Sequence, residues 1–317
     1  MVVIGIDLGG TKINGAVFDS VGNRLYQSTY LLKKRKGSEV GQLVIELIRE
    51  LLPTTASSII QAIGICVPGI SDMKTGCVWA PNIPGWENYP LQKEVEDFLD
   101  NPNIRVEIAG DRSCYILGEI WKGAARGVDD ALFISVGTGI GIGILANGRI
   151  LEGHAGISGA AGWLALDMKY EADYEQYGCF EGNASGSGIA RCAQRLLSEN
   201  TLLSKRSMLQ NYPVENITAH EVFNALAKND PLAVHVIDRA IQLWGMAAAN
   251  LVSLFNPEII VWGGGVFGPA AQFLDQIYEE ACRWAQPVAI RQVRFEISRL
   301  DGNAGLFGAG RLALMSK

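Results

Sequence analysis

The sequence predicts a mixed α/β protein made of two halves, each of which combines a β-meander with helices. Three observations predict this fold class. Short apolar runs with the length of strands alternate with longer segments in which apolar residues recur at helical spacing. The 37 glycines gather in a few clusters between these segments, where backbone must turn sharply or admit a ligand. The length of 317 residues fits two domains, since one domain holds roughly 100–200 residues.

The first half is predicted to hold five strands and two helices. The predicted strands cover residues 2–7, 13–19, 24–30, 59–67 and 104–109. Residues 38–52 form a predicted helix with one apolar face, and Ser38 is its expected N-cap. A second helix is predicted at about 112–123.

The second half repeats this pattern. Strand 131–136 runs into the glycine run 137–143, and a strand at 143–146 ends in an Asn147-Gly148 hairpin turn. The remaining predicted elements are helices at 186–199, 218–228, 231–254, 270–284 and 303–315, and strands at 258–262 and 292–297. Pro257 is expected to end the long helix. We predict that residues 1–120 plus 301–317 form an N-terminal lobe and that 121–300 form a C-terminal lobe.

Composition limits the classes of function. Hydrophobic residues make up 48% of the chain and charged residues 19%, which is typical of a globular protein. The net charge of −6 argues against a nucleic-acid partner, because such binding needs a basic surface. No apolar run reaches the ~18 residues of a membrane span, so we expect a cytoplasmic protein without a membrane partner. The six cysteines form no C-x-x-C pair, which indicates neither a disulfide framework nor a compact zinc site.

The first glycine turn is a candidate phosphate site. Gly9, Gly10, Thr11 and Lys12 follow an apolar strand, and such a turn exposes backbone N–H groups to an anion. Thr11 and Lys12 add side-chain donors, and Asp7 could hold Mg²⁺ directly or through water. An ordinary hairpin turn would explain the same residues. The segment does not match the Walker pattern.

Two later glycine clusters extend this hypothesis. Gly137, Thr138 and Gly139 form a second strand–turn–strand, although a bulged hairpin is an alternative. Two phosphate-type hairpins, one in each half, favour a nucleotide held between two lobes. Gly263, Gly264 and Gly265 would let backbone lie flat against adenine and ribose, or would simply allow a tight turn into a helix.

Asp111 is the candidate catalytic base. It comes just after the strand at 104–109 and before a helix, a position suited to chemistry at the end of a strand. A kinase needs a carboxylate that accepts the proton of the acceptor hydroxyl. An N-cap role for the same aspartate is the alternative, and both roles are compatible.

Taken together, these segments resemble the ROK family of sugar kinases. The matching segments are Asp7 to Lys12, Pro81 to Trp86, Asp111 before Gly118-Glu119, Gly137 to Gly143, Gly178 to Glu181, and Gly263 to Gly265. They are collinear and cover nearly the whole chain. The resemblance implies a two-lobed actin-like, hexokinase-like ATPase fold with ribonuclease H-like lobes and the active site in the interlobe cleft. It also implies ATP and Mg²⁺ as cofactors, a sugar substrate and a homodimer. The first strand begins at residue 2, so we expect no helix-turn-helix domain of the kind that ROK repressors carry.

The resemblance also implies roles for individual residues. Asp111 matches the catalytic base. The phosphate and nucleotide positions are matched by Asp7, Gly9, Gly10, Thr11, Lys12, Gly137, Thr138, Gly139, Gly264 and Gly265. The sugar-contacting positions are matched by Gly69, Asn82 and Glu181.

Several positions depart from the family pattern. The family motif G-x-x-G-x-A-G-E-x-G-H aligns on residues 153–163, where its sugar-binding glutamate is Ala160 and its sugar- and zinc-binding histidine is Trp163. The asparagine that usually precedes the base is Gly110. Of the four zinc ligands only Cys179 is present, so we predict no structural zinc and a buried, ordinary Cys179.

These departures predict an altered specificity. A buried sugar hydroxyl without a partner costs ~1–3 kcal/mol, so free glucose should bind poorly. We expect a substrate modified or differently shaped near C1 and C2, such as a glycoside, an amino or deoxy sugar, or a cyclitol. For a sugar acceptor we expect phosphorylation of the primary hydroxyl. Trp163 would offer an apolar face to this substrate or fill the core in place of the metal site. A catalytically degenerate sugar sensor on the same fold is the main alternative function, and a chaperone or filament protein is a weaker one.

Overall fold

Two five-stranded sheets form the framework of the protein. The computed structural model describes residues 2–52, 60–199 and 201–315. The strands of the first sheet are β1 (Val2–Leu8), β2 (Lys12–Asp19), β3 (Arg24–Leu31), β4 (Ile60–Val67) and β7 (Arg105–Gly110). Their spatial order is β3-β2-β1-β4-β7, in which β1, β4 and β7 run parallel and β2 and β3 are antiparallel neighbours. A separate hairpin pairs β5 (Ile70–Ser71) with β6 (Val78–Trp79).

The second sheet repeats this topology. Its strands are β8 (Ala131–Val136), β9 (Ile140–Ala146), β10 (Arg149–Ile150), β11 (Ile259–Gly263) and β12 (Arg294–Ile297). Their order is β10-β9-β8-β11-β12, with β8, β11 and β12 parallel. In each sheet a central strand therefore leads through a glycine turn into its antiparallel neighbour.

Helices cover the faces of both sheets. They are α1 (Ser38–Leu51), α2 (Leu91–Leu99), α3 (Asp111–Lys122), α4 (Tyr174–Tyr177), α5 (Cys179–Ala184), α6 (Gly186–Ser198), α7 (Leu202–Arg206), α8 (Ala219–Leu226), α9 (Pro231–Phe255), α10 (Leu274–Trp284) and α11 (Ala304–Met315). Short 3₁₀ turns occur at 161–163, 208–211, 214–216, 265–267, 269–273 and 289–291. Within the described ranges, no helix has the length and apolar character needed to cross a membrane.

Helices α3 and α11 connect the two sheets. Helix α11 packs on the first sheet so closely that a Cβ on Gly64 would lie 2.0 Å from the carbonyl oxygen of Ala309. Helix α3 packs on the second sheet, where Ile116 belongs to a buried cluster with Phe133 and Val261. The two helices also touch each other, since a Cβ on Gly308 would lie 1.8 Å from the Cys114 carbonyl oxygen. This close packing fixes the start of α3 relative to both sheets.

The predicted two-lobed α/β fold is confirmed, with differences at particular elements. Ser38 is not the N-cap of α1: Gly37 takes that position with a φ of 52°, and no side chain caps the helix. Strand β9 begins at Ile140 rather than 143, so most of the glycine run belongs to strands. Helix α9 ends at Phe255 because Asn256 adopts a φ of 45°. Helices α2, α4, α5 and α7 were not predicted, since none exceeds nine residues.

The predicted lobe boundaries stay a prediction. Each five-stranded sheet lies within one predicted lobe, although α3 packs on the second sheet. Residue 59 of the predicted strand lies outside the described residues, as do residues 1, 53–59 and 316–317 of the predicted first lobe and residue 200 of the predicted second lobe.

Candidate active site

Asp7 and Asp111 lie at the same edge of the first sheet. Asp7 is the last but one residue of β1 and Asp111 directly follows β7, and both strands end at this edge because they run parallel to β4. The pKa of Asp7 is raised to about 6, mainly by burial; the charge of Asp111 also raises it, whereas the Cys66 thiol and Lys12 lower it. The structure therefore brings together the two carboxylates that the sequence singles out.

The start of α11 also packs against Asp7. A Cβ on Gly305 would lie 2.7 Å from Asp7 Oδ1, so only glycine leaves room for the carboxylate there. Gly305 is the second residue of α11, and the first turn of a helix carries the positive end of its dipole. Sequence reasoning missed this contact, because nothing in the local sequence indicates that the last helix returns to β1.

Asp111 is the first residue of α3, and Gly110 before it is the N-cap. The cap has extended backbone and receives no side-chain hydrogen bond, so the predicted N-cap role of Asp111 is not observed. Asp111 Oδ1 instead accepts a hydrogen bond of 2.8 Å from the backbone N–H of Arg112. Burial raises the pKa of Asp111, and the positive charge of Arg112 lowers it. The Asp111 carboxylate is thus held in a desolvated position suited to proton transfer.

The first glycine turn is open to solvent. Gly10, Thr11 and Lys12 are exposed, and the turn is closed by a hydrogen bond of 2.9 Å from the Gly9 N–H to the Lys12 carbonyl oxygen. Nothing lies within 4 Å of a Cβ placed on Gly10. The exposed backbone and the Lys12 side chain are therefore free to meet an anionic ligand.

The carboxylate of Glu181 packs against the second glycine turn. The Ile140 N–H donates a hydrogen bond of 2.7 Å to Glu181 Oε2, and a Cβ on Gly139 would lie 2.6 Å from the same oxygen. Gly162 touches Glu181 as well, since its Cβ would lie 2.8 Å from Oε2. Glu181 was predicted to contact sugar, and the structure places its carboxylate against this turn. Thr138, in the same turn, is exposed to solvent.

A cleft of about 740 Å³ opens beside the second glycine turn. Its lining includes Gly137, Thr138, Ser187, Arg191 and Gly265. Helix α6 begins here, because the Gly186 N–H donates a 2.8 Å hydrogen bond to the Gly137 carbonyl oxygen. A cleft of this size fits a nucleoside, and the second glycine turn and the first turn of α6 line part of its wall.

Arg191 is a candidate binding residue that sequence reasoning missed. Its guanidinium carbon lies 3.9 Å from the centroid of the Tyr177 ring. Its Nη2 is buried, and no hydrogen-bond partner for it is found in the described ranges. Arg191 lines the cleft, and its positive charge would favour an anionic ligand there. One arginine within a helical pattern gives no such signal in the sequence.

The third glycine segment requires glycine at one position. Gly264 has a φ of +90°, and a Cβ there would lie 2.4 Å from the Val136 carbonyl oxygen. Gly264 and Gly265 are exposed between the large cleft and a second one of about 480 Å³, which is also lined by Tyr115, Trp262 and Ala304. The structure thus places the third glycine segment next to the second glycine turn.

The predicted sugar-contacting residues of the first lobe come from adjoining segments. A Cβ on Gly110 would lie 2.5 Å from the Gly69 carbonyl oxygen, and a Cβ on Gly69 would lie 3.0 Å from the Ala80 Cα. Asn82 is exposed in the turn that follows. Gly69 and Gly110 therefore flank the start of α3, where the carboxylate of Asp111 lies.

The departures from the family pattern lie in the second lobe. Ala160 is half-buried just before the 3₁₀ turn Ala161–Trp163, and the Trp163 side chain is 58% exposed. The alternative in which Trp163 fills the core is therefore wrong. Cys179 is 6% exposed, which confirms its predicted burial. In the described part of the chain, no three His, Cys, Asp or Glu side chains are grouped as metal ligands.

Comparisons with known proteins identify the family of the chain. A sequence profile of the ROK family matches residues 3–316. The chain is 34% identical to a glucokinase of Halalkalibacterium halodurans, with 98% of this chain and 94% of that protein aligned. It is 28% identical to an N-acetyl-D-glucosamine kinase of Pectobacterium atrosepticum, with 98% of this chain and 98% of that protein aligned. It also superposes on a ROK family glucokinase of Streptomyces griseus, crystallised with glucose and AMPPNP, with a TM-score of 0.77, 28% identity and full coverage of both chains (100% each).

Proposed function

The chain belongs to the ROK family and is an ATP-dependent sugar kinase, and from this premise we propose how its residues act and which acceptor it takes. The observation that carries the proposal is the position of Asp111 beside Asp7, at the sheet edge where the first glycine turn begins. We assign Asp111 as the catalytic base and the primary hydroxyl of a sugar as the acceptor.

In this mechanism Asp111 accepts the proton of the acceptor hydroxyl as that oxygen attacks the terminal phosphoryl group. Its carboxylate must be ionised to do so. Burial raises its pKa toward the working range of a base, while the charge of Arg112 limits that rise. Gly110 and Gly69 pack closely next to the base, since a Cβ on Gly110 would lie 2.5 Å from the Gly69 carbonyl oxygen, and the acceptor would be oriented against this backbone.

The two glycine turns would bind the donor from opposite sides. Exposed N–H groups at Gly10 and Thr11, with the Lys12 ammonium, would contact phosphate oxygens from the first lobe. Thr138 and the start of α6 would contact them from the second lobe. The adenosine would lie in the 740 Å³ cleft over Gly264 and Gly265, and Arg191 would add a positive charge there. Preorganised donors of this kind supply most of the catalysis of phosphoryl transfer.

The residues present also fit a magnesium ion. Asp7 and Asp111 offer carboxylate oxygens, and Mg²⁺ usually takes one or two protein carboxylates together with water and substrate phosphates. The burial of Asp7 is costly without a cation, as its raised pKa indicates. Asp7 would hold the ion directly or through water, and the ion would neutralise charge on the transferring phosphoryl group.

We propose an acceptor that differs from free glucose near C1 and C2. Gly110 and Ala160 have no side chain that hydrogen-bonds a hydroxyl, and Glu181 Oε2 already accepts the Ile140 N–H. Trp163 exposes an apolar ring in the adjoining 3₁₀ turn. A glycoside or a deoxy sugar would leave fewer hydroxyls to be hydrogen-bonded there than glucose, and an N-acyl amino sugar or a cyclitol would differ from glucose in shape.

A coupled assay over a sugar panel tests the activity. The panel is glucose, N-acetylglucosamine, methyl glucoside, 2-deoxyglucose and myo-inositol, with Mg-ATP as donor. Asp111→Asn should lower kcat by roughly 10²–10⁴-fold while nucleotide binding persists. Asp275→Asn is the matched control, because Asp275 lies exposed in the first turn of α10 and should leave kcat unchanged. An unaffected kcat in Asp111→Asn would refute the base, and glucose as by far the best acceptor would refute the altered specificity.

The expected homodimer and cytoplasmic location stay predictions. Sedimentation of the purified protein at several concentrations tests the dimer, and fractionation of cells that produce it tests the location.

A further inference from the structure

Arg112 contacts both the proposed base and a loop of the second lobe. Its backbone N–H donates to Asp111 Oδ1 at 2.8 Å. Its guanidinium reaches the other way, where Nη1 donates to the Ile157 carbonyl oxygen at 3.1 Å and Nη2 to the Gly156 carbonyl oxygen at 3.4 Å. One residue therefore connects the start of α3 with residues 153–159, which we term the glycine loop.

The glycine loop needs an external anchor. Gly153, Gly156 and Gly159 have φ values of 75°, 69° and 78°, a region that glycine adopts easily but at the highest entropic cost of ordering. The loop is fixed at its end, where the Ile142 N–H donates to the Gly159 carbonyl oxygen at 2.8 Å. At its middle, the side-chain hydrogen bonds from outside the loop come from Arg112.

The position of this loop affects both halves of the proposed site. It leads directly into Ala160 and the 3₁₀ turn Ala161–Trp163. Gly162 in that turn packs on Glu181, which in turn holds the Ile140 N–H of the second glycine turn. On its other side Gly156 meets the β5 hairpin, since its Cβ would lie 3.3 Å from Ile70 Cγ2. A shift of the loop would therefore move Ala160 and Trp163, which together with Gly69 and Gly110 form what we term the acceptor pocket.

The surroundings of Arg112 argue against a direct role in ligand binding. The cavity at its side, shared with Ser113, Glu152 and Ser158, measures about 20 Å³, which is room for one water molecule. Both terminal nitrogens of the guanidinium already donate to backbone carbonyl oxygens of the glycine loop. The guanidinium is thus placed to hold backbone rather than a substrate anion.

We infer that Arg112 is a positioning residue that fixes the glycine loop to the base-bearing helix and so sets the geometry of the acceptor pocket. The part of this inference that concerns the acceptor rests on the proposed function. The hydrogen bonds from Arg112 to the glycine loop do not depend on the proposed function, and their effect on the loop can be measured without catalysis.

The test compares Arg112→Met, Arg112→Lys and the exposed control Arg126→Met with the wild type. Methionine keeps the length and packing of the side chain but removes its hydrogen-bond donors. Lysine keeps the positive charge and an ammonium donor but lacks the planar fork of the guanidinium. Hydrogen exchange of the peptide 152–160 should be about tenfold faster in Arg112→Met, including the Ser158 amide that bonds the Glu152 carbonyl oxygen at 3.0 Å. The KM for the acceptor should rise by about tenfold, with the KM for ATP within about twofold of wild type. Arg112→Lys should recover part of both effects.

Unchanged exchange of this peptide in a folded Arg112→Met would overturn the inference, whatever the kinetics show. Equal rises in both KM values, with no recovery in Arg112→Lys, would also overturn it, because they indicate general damage. A wild-type protein that phosphorylates no sugar would instead refute the proposed function and the acceptor part, while the exchange result still decides the hold on the loop.

Discussion

The carboxylate of Glu181 accepts a hydrogen bond of 2.7 Å from the backbone N–H of Ile140, at the end of the second glycine turn. Glu181 was predicted from the sequence to contact sugar. In the structure it lies between this turn and Gly162, so it links the donor side of the cleft with the segment that carries Trp163. This link gives Glu181 a measurable effect on the donor.

Glu181→Gln should therefore weaken the binding of ATP more than the binding of sugar. A hydrogen bond to a charged acceptor contributes about 1.5–3 kcal/mol and a neutral one about 1, so the KM for ATP should rise by roughly threefold to tenfold. The coupled assay with varied ATP at saturating sugar measures this. Glu175→Gln, an exposed change in α4, is the control and should have no effect. A rise confined to the KM for sugar would instead favour the predicted sugar contact.

Gly264→Ala should destabilise the protein, and Gly265→Ala should not. A methyl group at Gly264 meets the Val136 carbonyl oxygen at 2.4 Å with a φ of +90°, whereas nothing lies within 4 Å of a Cβ on Gly265. Strained backbone of this kind costs on the order of 1–3 kcal/mol, against about 0.5 kcal/mol or less for an open surface site. Urea denaturation of the two variants measures the difference. Equal stabilities would show that the loop relaxes without cost.

The pKa of Asp7 predicts a pH-dependent stability in the absence of ligands. Its folded-state pKa of about 6 exceeds the ordinary value of 3.8, so between these pH values the folded protein binds more protons than the unfolded one. This contribution to the free energy of unfolding is therefore lost as pH rises through about 6. Asp7→Asn should gain stability over wild type, by on the order of 1–3 kcal/mol, at pH 7 but not at pH 4.

Urea denaturation at both pH values provides the measurement, and Asp19→Asn provides a comparison of opposite sign. The pKa of Asp19 is lowered, first by a hydrogen bond from the Asn23 backbone, so its carboxylate stabilises the fold above its ordinary pKa. Asp19→Asn should therefore lose stability at pH 7. A pH-independent difference between wild type and Asp7→Asn would contradict the burial of an ionised Asp7.

Arg191→Ala should raise the KM for ATP by about tenfold and leave the KM for sugar unchanged, because a charge-assisted contact to the donor is lost. Arg195→Ala is the matched control on the same helix, where Arg195 is exposed and pairs with Glu171 at 3.0 Å. Isothermal titration with AMPPNP separates binding from catalysis. An unchanged affinity in Arg191→Ala would place Arg191 outside the nucleotide site.

Periodicity and glycine clusters predicted most of the framework from the sequence. The predicted strand at 131–136 and the predicted hairpin turn at Asn147-Gly148 agree with the structure, where the two turn residues have φ values of 51° and 72°. Short elements such as α4 and α5 were missed, because four to six residues carry too little periodicity to be recognised. The cap of α1 was also missed, since a glycine with positive φ gives the same local pattern as a turn.

The sequence by itself determined the family, the two-lobed fold and the kinds of residue at the cleft, because glycine turns and a carboxylate after a strand are local features. Only the tertiary structure decided which groups meet: Gly305 with Asp7, Glu181 with Ile140, and Arg112 with Ile157. These contacts join residues about 40 or more positions apart, and no local periodicity encodes such pairs. The packing of α11 on β1 brings Gly305 to Asp7, and the packing of α3 on β9 brings Arg112 to the loop that holds Ile157.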